Sequence, residues 1–91
     1  MSVVVKIPTQ LRAAAGGEAE AELSGATIQE VLNGLFERHE ELRARIADED
    51  GSLRRFVNVY LAGEDIRFLD GLATPVKDGS EITILPAVAG G

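Results

Sequence analysis

Apolar residues in this chain fall into several short runs and one long periodic stripe, and the two spacings separate strands from helix. Val3-Val4-Val5-Lys6-Ile7 is β-branched, short and stopped by Pro8, which predicts a strand with Val3, Val5 and Ile7 on one face. Thr9 to Gly17 reads as a loop closed by Gly16-Gly17. Glu18-Ala19-Glu20-Ala21-Glu22-Leu23 then alternates acid with apolar. Ala and Glu also favour helix, but the run is short and lies between turn signals, so it is expected to form the second strand of a hairpin with an acidic outer face. After the break at Ser24-Gly25-Ala26, the segment Thr27-Ile28-Gln29-Glu30 has capping-box spacing. The Thr27 hydroxyl can accept an orphan amide proton of the first turn while Glu30 reaches back to the cap amide. Ile28, Val31, Leu32, Leu35 and Phe36, followed by Leu42 and Ile46, make one stripe of a 3.6-residue period. This predicts a helix over 28–46, with a candidate break near His39. Glu30, Glu37, Arg38, Glu40, Glu41, Arg43 and Arg45 occupy its solvated faces, and Glu41 and Arg45 are spaced to pair.

Asp48-Glu49-Asp50-Gly51-Ser52 is a polar loop, Phe56 to Leu61 a strand, and Ala62-Gly63-Glu64-Asp65 its turn. Ile66-Arg67-Phe68 is expected as a short partner strand, and Thr74-Pro75 rules out helix continuation there. Lys77-Asp78-Gly79-Ser80 is a tight turn into a last strand, Glu81 to Leu85, with Ile82 and Ile84 inward. A single long amphipathic helix has to bury its stripe on a sheet that offers one apolar face. The first and last strands are richest in β-branched residues and belong at the centre, parallel to each other. The second strand hairpins onto the first, and the helix crosses over to the strand at 56–61. The expected fold is therefore α+β: a β-grasp (ubiquitin-like) mixed sheet packed on one main helix, spanning 1–86, with a flexible tail at 87–91.

Composition narrows the function. The 91 residues suit one domain, and 45% apolar with 26% charged is a globular balance. A net charge of −6 argues against nucleic acid or an anionic membrane as partner. No apolar run approaches the roughly 18 residues of a membrane span. Met-Ser-Val-Val-Val-Lys at the N-terminus lacks a basic region leading into a long apolar stretch, so a cytoplasmic protein is expected. The chain has no cysteine and a single histidine, His39. That excludes thiolate catalysis, Cys-ligated zinc and any dyad built on two histidines, and His39 is expected to pack at the edge of the helix stripe. Ser24, Ser52 and Ser80 sit at turns with no base nearby. The run Asp48-Glu49-Asp50-Gly51 fails the spacing of a calcium loop, and no G-x-x-x-x-G-K-[ST] phosphate loop occurs. The chain is therefore expected to be no enzyme and to bind no cofactor of its own.

The end of the chain is the remaining candidate. Beyond Pro86 come Ala87-Val88-Ala89-Gly90-Gly91, small residues that add nothing to a core. Extended, they reach about 16 Å, at ~3.3 Å per residue. Glycines are costly to order, but with no Cβ they let a terminal carboxylate pass down a narrow channel. Many chains also simply end in small, frayed residues. On the strand before the tail, Val57, Val59 and Leu61 facing the helix would put Phe56, Asn58 and Tyr60 on the other face. Leu85 joins them there, which makes Phe56, Tyr60 and Leu85 a candidate docking patch at the root of the tail.

The segment Asp78-Gly79-Ser80-Glu81-Ile82-Thr83-Ile84-Leu85-Pro86-Ala87-Val88-Ala89-Gly90-Gly91 resembles the C-terminal signature of the ThiS/MoaD sulfur-carrier family, and Phe56-Val57-Asn58-Val59-Tyr60 is similar to that family's "v-N" strand. Within the family the likeness leans to the CysO-type branch serving cysteine biosynthesis. The resemblance implies that a partner enzyme adenylates the Gly91 carboxylate using ATP, and that a sulfur donor displaces AMP to leave a thiocarboxylate. In the CysO-type cycle it further implies a PLP-dependent cysteine synthase, on which the thiocarboxylate attacks an aminoacrylate and the thioester shifts from S to N. A zinc metalloprotease then releases the added cysteine and restores Gly91. ATP, PLP and zinc all belong to partners in this scheme. A molybdopterin-synthase small subunit, and a ubiquitin-like modifier conjugated through Gly91, are alternatives with the same tail. A plain interaction module is the remaining one.

Overall fold

The computed structural model describes residues 2–55 and 57–86. In chain order they form β1 (Ser2–Lys6), a 3₁₀ helix (Thr9–Ala15), β2 (Glu20–Ser24), α1 (Ile28–Arg38), α2 (Glu40–Ile46), β3 (Val57–Leu61), β4 (Glu64–Asp65), short 3₁₀ turns at Ile66–Phe68 and Gly71–Ala73, and β5 (Glu81–Pro86). The sheet order is β2-β1-β5-β3-β4. β1 and β5 pair in parallel, with Val5 beside Ile82, and the neighbouring pairs are antiparallel. The expected arrangement of central parallel strands, opening hairpin and helical crossover is present.

Alternation does the sorting on the sheet. Val3, Val5, Ala21, Leu23, Val57, Val59, Ile82 and Ile84 point to the helices and are buried, together with Ile28, Val31, Leu32, Leu35 and Phe36 from α1. The other face carries Lys6, Glu20, Glu81, Thr83, Asn58, Tyr60 and Leu85. Lys6 lies 3.1 Å from the Glu20 carboxylate and 3.7 Å from that of Glu81.

Thr27 caps α1 as expected, its Oγ1 accepting from the Glu30 amide at 3.2 Å, but Glu30 accepts from the Ala26 amide instead of that of Thr27. The Ile28 amide is bonded to the Thr74 carbonyl and the Val76 amide to the Ala26 carbonyl. The segment before Pro75 thus closes the helix entry. The helix breaks at His39, whose backbone is extended (φ −135°, ψ 86°), and α2 packs on the 3₁₀ helix at 9–15. Arg45 and Glu41 form no ion pair; the pairs among the described residues lie elsewhere.

Two expectations change. The 9–17 loop is largely a 3₁₀ helix, because Leu11, Ala14 and Ala15, spaced three and four apart, are all buried. Ile66-Arg67-Phe68 is no partner strand. A strand would place Ile66 and Phe68 on one face, whereas Ile66 is 1% exposed and Phe68 84%. The chain turns there because the Asp65 carboxylate accepts from the Arg67 amide at 2.9 Å, starting a 3₁₀ turn that drops Ile66 into the core. The partner strand of β3 is instead Glu64–Asp65, inside the expected turn.

The turn at 77–80 does more than reverse the chain. Gly79 takes φ +83°, a left-handed backbone that side chains disfavour. Its amide donates to the Ser2 carbonyl at 2.7 Å, while Asp78 accepts from the Ser2 amide at 2.8 Å. Ser80 Oγ accepts from the Lys77 amide at 3.0 Å. This clip sets the register in which β5 enters beside β1.

Candidate functional site

β5 is paired with β1 over Glu81–Thr83 and with β3 through to Pro86, so β3 is what holds its C-terminal end. Pro86 lies opposite Val57, Leu85 opposite Asn58 and Thr83 opposite Tyr60. Tyr60 and Leu85 are diagonal neighbours on the face away from the helices, within reach of long side chains. Leu85 is 46% exposed although it sits in a central strand. Two of the three candidate docking residues are therefore together at the last described residue; Phe56 lies outside the described residues, as do Ala87, Val88, Ala89, Gly90 and Gly91.

A polar group missed in the sequence borders this patch. Arg67 bridges the Asp65 carboxylate, with its Nη2 2.9 Å from Oδ2 and its Nε 3.3 Å from Oδ1, and its Nη2 also donates to Asn58 Oδ1. Hydrogen bonding from Arg67, through its side chain and then its amide, holds the Asp65 carboxyl below the ordinary carboxylate range. The same contact, with the nearby charge, holds Arg67 above its usual value. Asn58 thus ties β3 to the turn after β4. The spacing of Asp65 and Arg67 gave no warning, because the contact to Asn58 depends on the hairpin. Across the same sheet face, Lys6 is pushed up by its hydrogen bond to Glu20 and the charges of Glu81 and Glu20.

The other candidates stay apart. His39 is at the helix break and not merely at a stripe edge, with its Nε2 2.7 Å from Glu18 Oε1, fastening the start of β2 to the α1–α2 junction. Ser52 donates its amide to Asp50 Oδ1 at 3.0 Å, and that contact holds Asp50 below its usual range. No cluster of three or more His, Cys, Asp or Glu residues that could hold a metal ion occurs among the described residues. No described helix is long and apolar enough to cross a membrane. What the arrangement offers chemically is a rigid platform presenting an apolar and polar face beside the root of the chain's last residues.

A mixed sheet of this order, grasping its helices on one face only, defines a β-grasp domain. The ThiS family profile matches residues 5–91, and the chain belongs to the ThiS family. The sulfur carrier protein CysO of Mycobacterium tuberculosis (strain ATCC 25618 / H37Rv) is 46% identical over 93 residues, covering 100% of both chains. Among solved structures, the Amycolatopsis orientalis BexX/CysO complex contains a chain that superposes with a TM-score of 0.90 at 50% identity, covering 98% of this chain and 99% of that one. The small archaeal modifier protein 1 (SAMP1) of Methanosarcina acetivorans gives 0.85 at 40% identity over 99% of this chain and 96% of that one.

Proposed function

We propose that this chain is a sulfur carrier of the CysO type, a substrate and carrier for partner enzymes, whose working group is the Gly91 carboxylate. The observation that carries the reading is the placement of Pro86 at the end of the central strand β5, paired there with Val57 of β3, with 87–91 following it. Full-length identity with a named sulfur carrier supports it.

A carboxylate is ionised at neutral pH, with a reference pKa of about 3.3–3.7, and is a poor acyl electrophile. Activation joins the carboxylate oxygen to the α-phosphate of ATP on a partner and releases pyrophosphate. A sulfur donor then forms the C–S bond and AMP leaves, giving the thiocarboxylate. The chain's own contribution is positional: a fixed strand end, a tail without bulky side chains at its tip, and a docking patch of Phe56, Tyr60 and Leu85. With no cysteine in the sequence, no side-chain thiol competes for transferable sulfur. Transfer to a PLP-dependent cysteine synthase and release by a zinc metalloprotease complete the proposed cycle, with both cofactors in the partners.

Intact-protein mass spectrometry of the chain isolated from its own cells tests this. Replacement of one oxygen by sulfur at the terminus supports the carrier, and an added cysteine supports the CysO-type route. A second reading, a protein modifier linked through Gly91, is favoured by the likeness to SAMP1, and lysine-linked adducts would establish it. Deleting Gly91 is expected to leave the melting temperature unchanged and to abolish loading by the adenylating partner. A truncated chain that still loads would refute the assignment.

A further inference from the structure

β4 pairs only with Tyr60 and Leu61, so the Val57–Val59 half of that edge of β3 has no strand neighbour among the described residues. The chain on either side, 53–55 and 65–67, closes over it incompletely and leaves a cleft of about 220 Å³. Leu53, Val57, Val59 and Ile66 form its apolar floor, and Arg54, Arg55, Arg67 and Asp65 its rim. With Arg54 paired to Asp48, the guanidinium groups of Arg55 and Arg67 against the Asp65 carboxylate leave this rim positive on a chain whose net charge is −6. The three cations are not equivalent. Arg54 is turned away, its Nε donating to the Ala44 carbonyl at 2.8 Å with Asp48 3.9 Å from its Nη1. Arg67 spends its Nε and Nη2 on Asp65 and Asn58, so of the five donors of a guanidinium those on Nη1 remain. Arg55 makes no hydrogen bond or ion pair with any described residue.

We infer that this cleft is a docking site for an acidic segment of a partner protein, which sets an aliphatic side chain on the Leu53/Val57/Val59/Ile66 floor and a flanking carboxylate against Arg55 and Arg67. Size and charge choose the occupant. The volume is below the roughly 300–1,000 Å³ of small-molecule sites and suits a side chain or two. A positive rim around an apolar floor selects a carboxylate next to a hydrophobic residue, and a planar guanidinium grips a carboxylate through two donors. Val57, in the cleft floor, is the residue paired with Pro86. One strand spacing, about 4.8 Å, therefore separates the cleft from the root of the tail, so a partner that receives the tail meets both at once. This deepens the carrier reading by naming a second contact and its chemistry. It also runs against the overall charge: the chain carries −6, yet the segment it meets at this corner is acidic.

The test is an NMR titration of the isotope-labelled full chain with the peptide acetyl-Asp-Leu-Glu-Leu-Asp-amide, and with its Lys-Leu-Lys-Leu-Lys counterpart. The expected result is that the acidic peptide shifts the backbone resonances of Leu53, Arg55, Val59, Ile66 and Arg67, weakens with added salt, and binds Arg55→Glu about tenfold or more weakly, as loss of one charge-assisted contact implies. Lys77→Glu, in the turn at the opposite end of β5 from Pro86, is expected to bind like the parent. Arg55→Gln repeats the measurement without a new charge, and the amide spectrum of each variant reports its folding. Shifts located elsewhere, equal binding of the basic peptide, or unchanged binding by a folded Arg55→Glu would overturn the inference. Loading of Gly91 is read separately by mass, so failure of the carrier proposal leaves a distinct signature.

Discussion

Leu35→Ala is the sharpest test of how this domain is held together. Leu35 is 0% exposed on the inward stripe of α1, in the same core cluster as Val3, Val5, Ile82 and Ile84. Truncation removes its transfer free energy and leaves a cavity between helix and sheet, a combined cost of about 2–5 kcal/mol. A domain of this size has on the order of 5–15 kcal/mol in total, so one side chain carries a sizeable share. At roughly 4–8 °C per kcal/mol for a 60–100-residue domain, the melting temperature should fall by between about 8 and 40 °C. Circular dichroism during heating, repeated in urea, measures the change. The urea slope should hold steady, since the surface exposed on unfolding barely alters. A shift below about 4 °C, equivalent to less than ~1 kcal/mol, would mean that Leu35 is not locked between helix and sheet and would refute the packing argued here.

Gly25→Ala should also destabilise, because a Cβ there would lie 2.9 Å from both the Val31 amide nitrogen and its Cγ2. The expected cost is about 1–3 kcal/mol, as for overpacking, read as a lower urea midpoint, and an unchanged midpoint would show that the α1 entry yields freely. Asp65 titrates lower folded than unfolded. Its contact with Arg67 therefore adds stability above the ordinary carboxylate pKa, and that stability is lost as pH falls through the depressed folded value. Asp65→Asn should flatten the acid limb of the stability–pH curve, measured by urea unfolding at a series of pH values. Lys6 is the opposite case: raised by Glu20 and Glu81, it adds stability below its unfolded pKa that fades as pH rises through the folded one, so Lys6→Met should flatten the alkaline limb.

Much of the architecture was legible because it is written in short-range periods. The Val3/Val5/Ile7 and Ile82/Ile84 alternations gave two strands, and the stripe from Ile28 to Ile46 gave the helical region; one apolar sheet face for one stripe then left few topologies. The Thr27 cap and the Gly79 turn were likewise readable, since each depends on residues a few positions apart. The likeness to sulfur carriers rested on residues from Phe56 onward and on the Gly90-Gly91 end, also contiguous in the chain.

Tertiary structure decided what depends on residues distant in sequence. Glu18 fastens His39 across the helix break only because β2 returns beside α1. Ile66 leaves strand geometry because the core has room for it beneath a sheet edge that β4 covers only in part. Asn58, Asp65 and Arg67 become one network, and Leu53, Arg55 and Ile66 one cleft, only once the hairpin has folded. Periodicity records which way each side chain faces along its own element. Which partner waits there is set by how elements meet, and no local pattern carries that information.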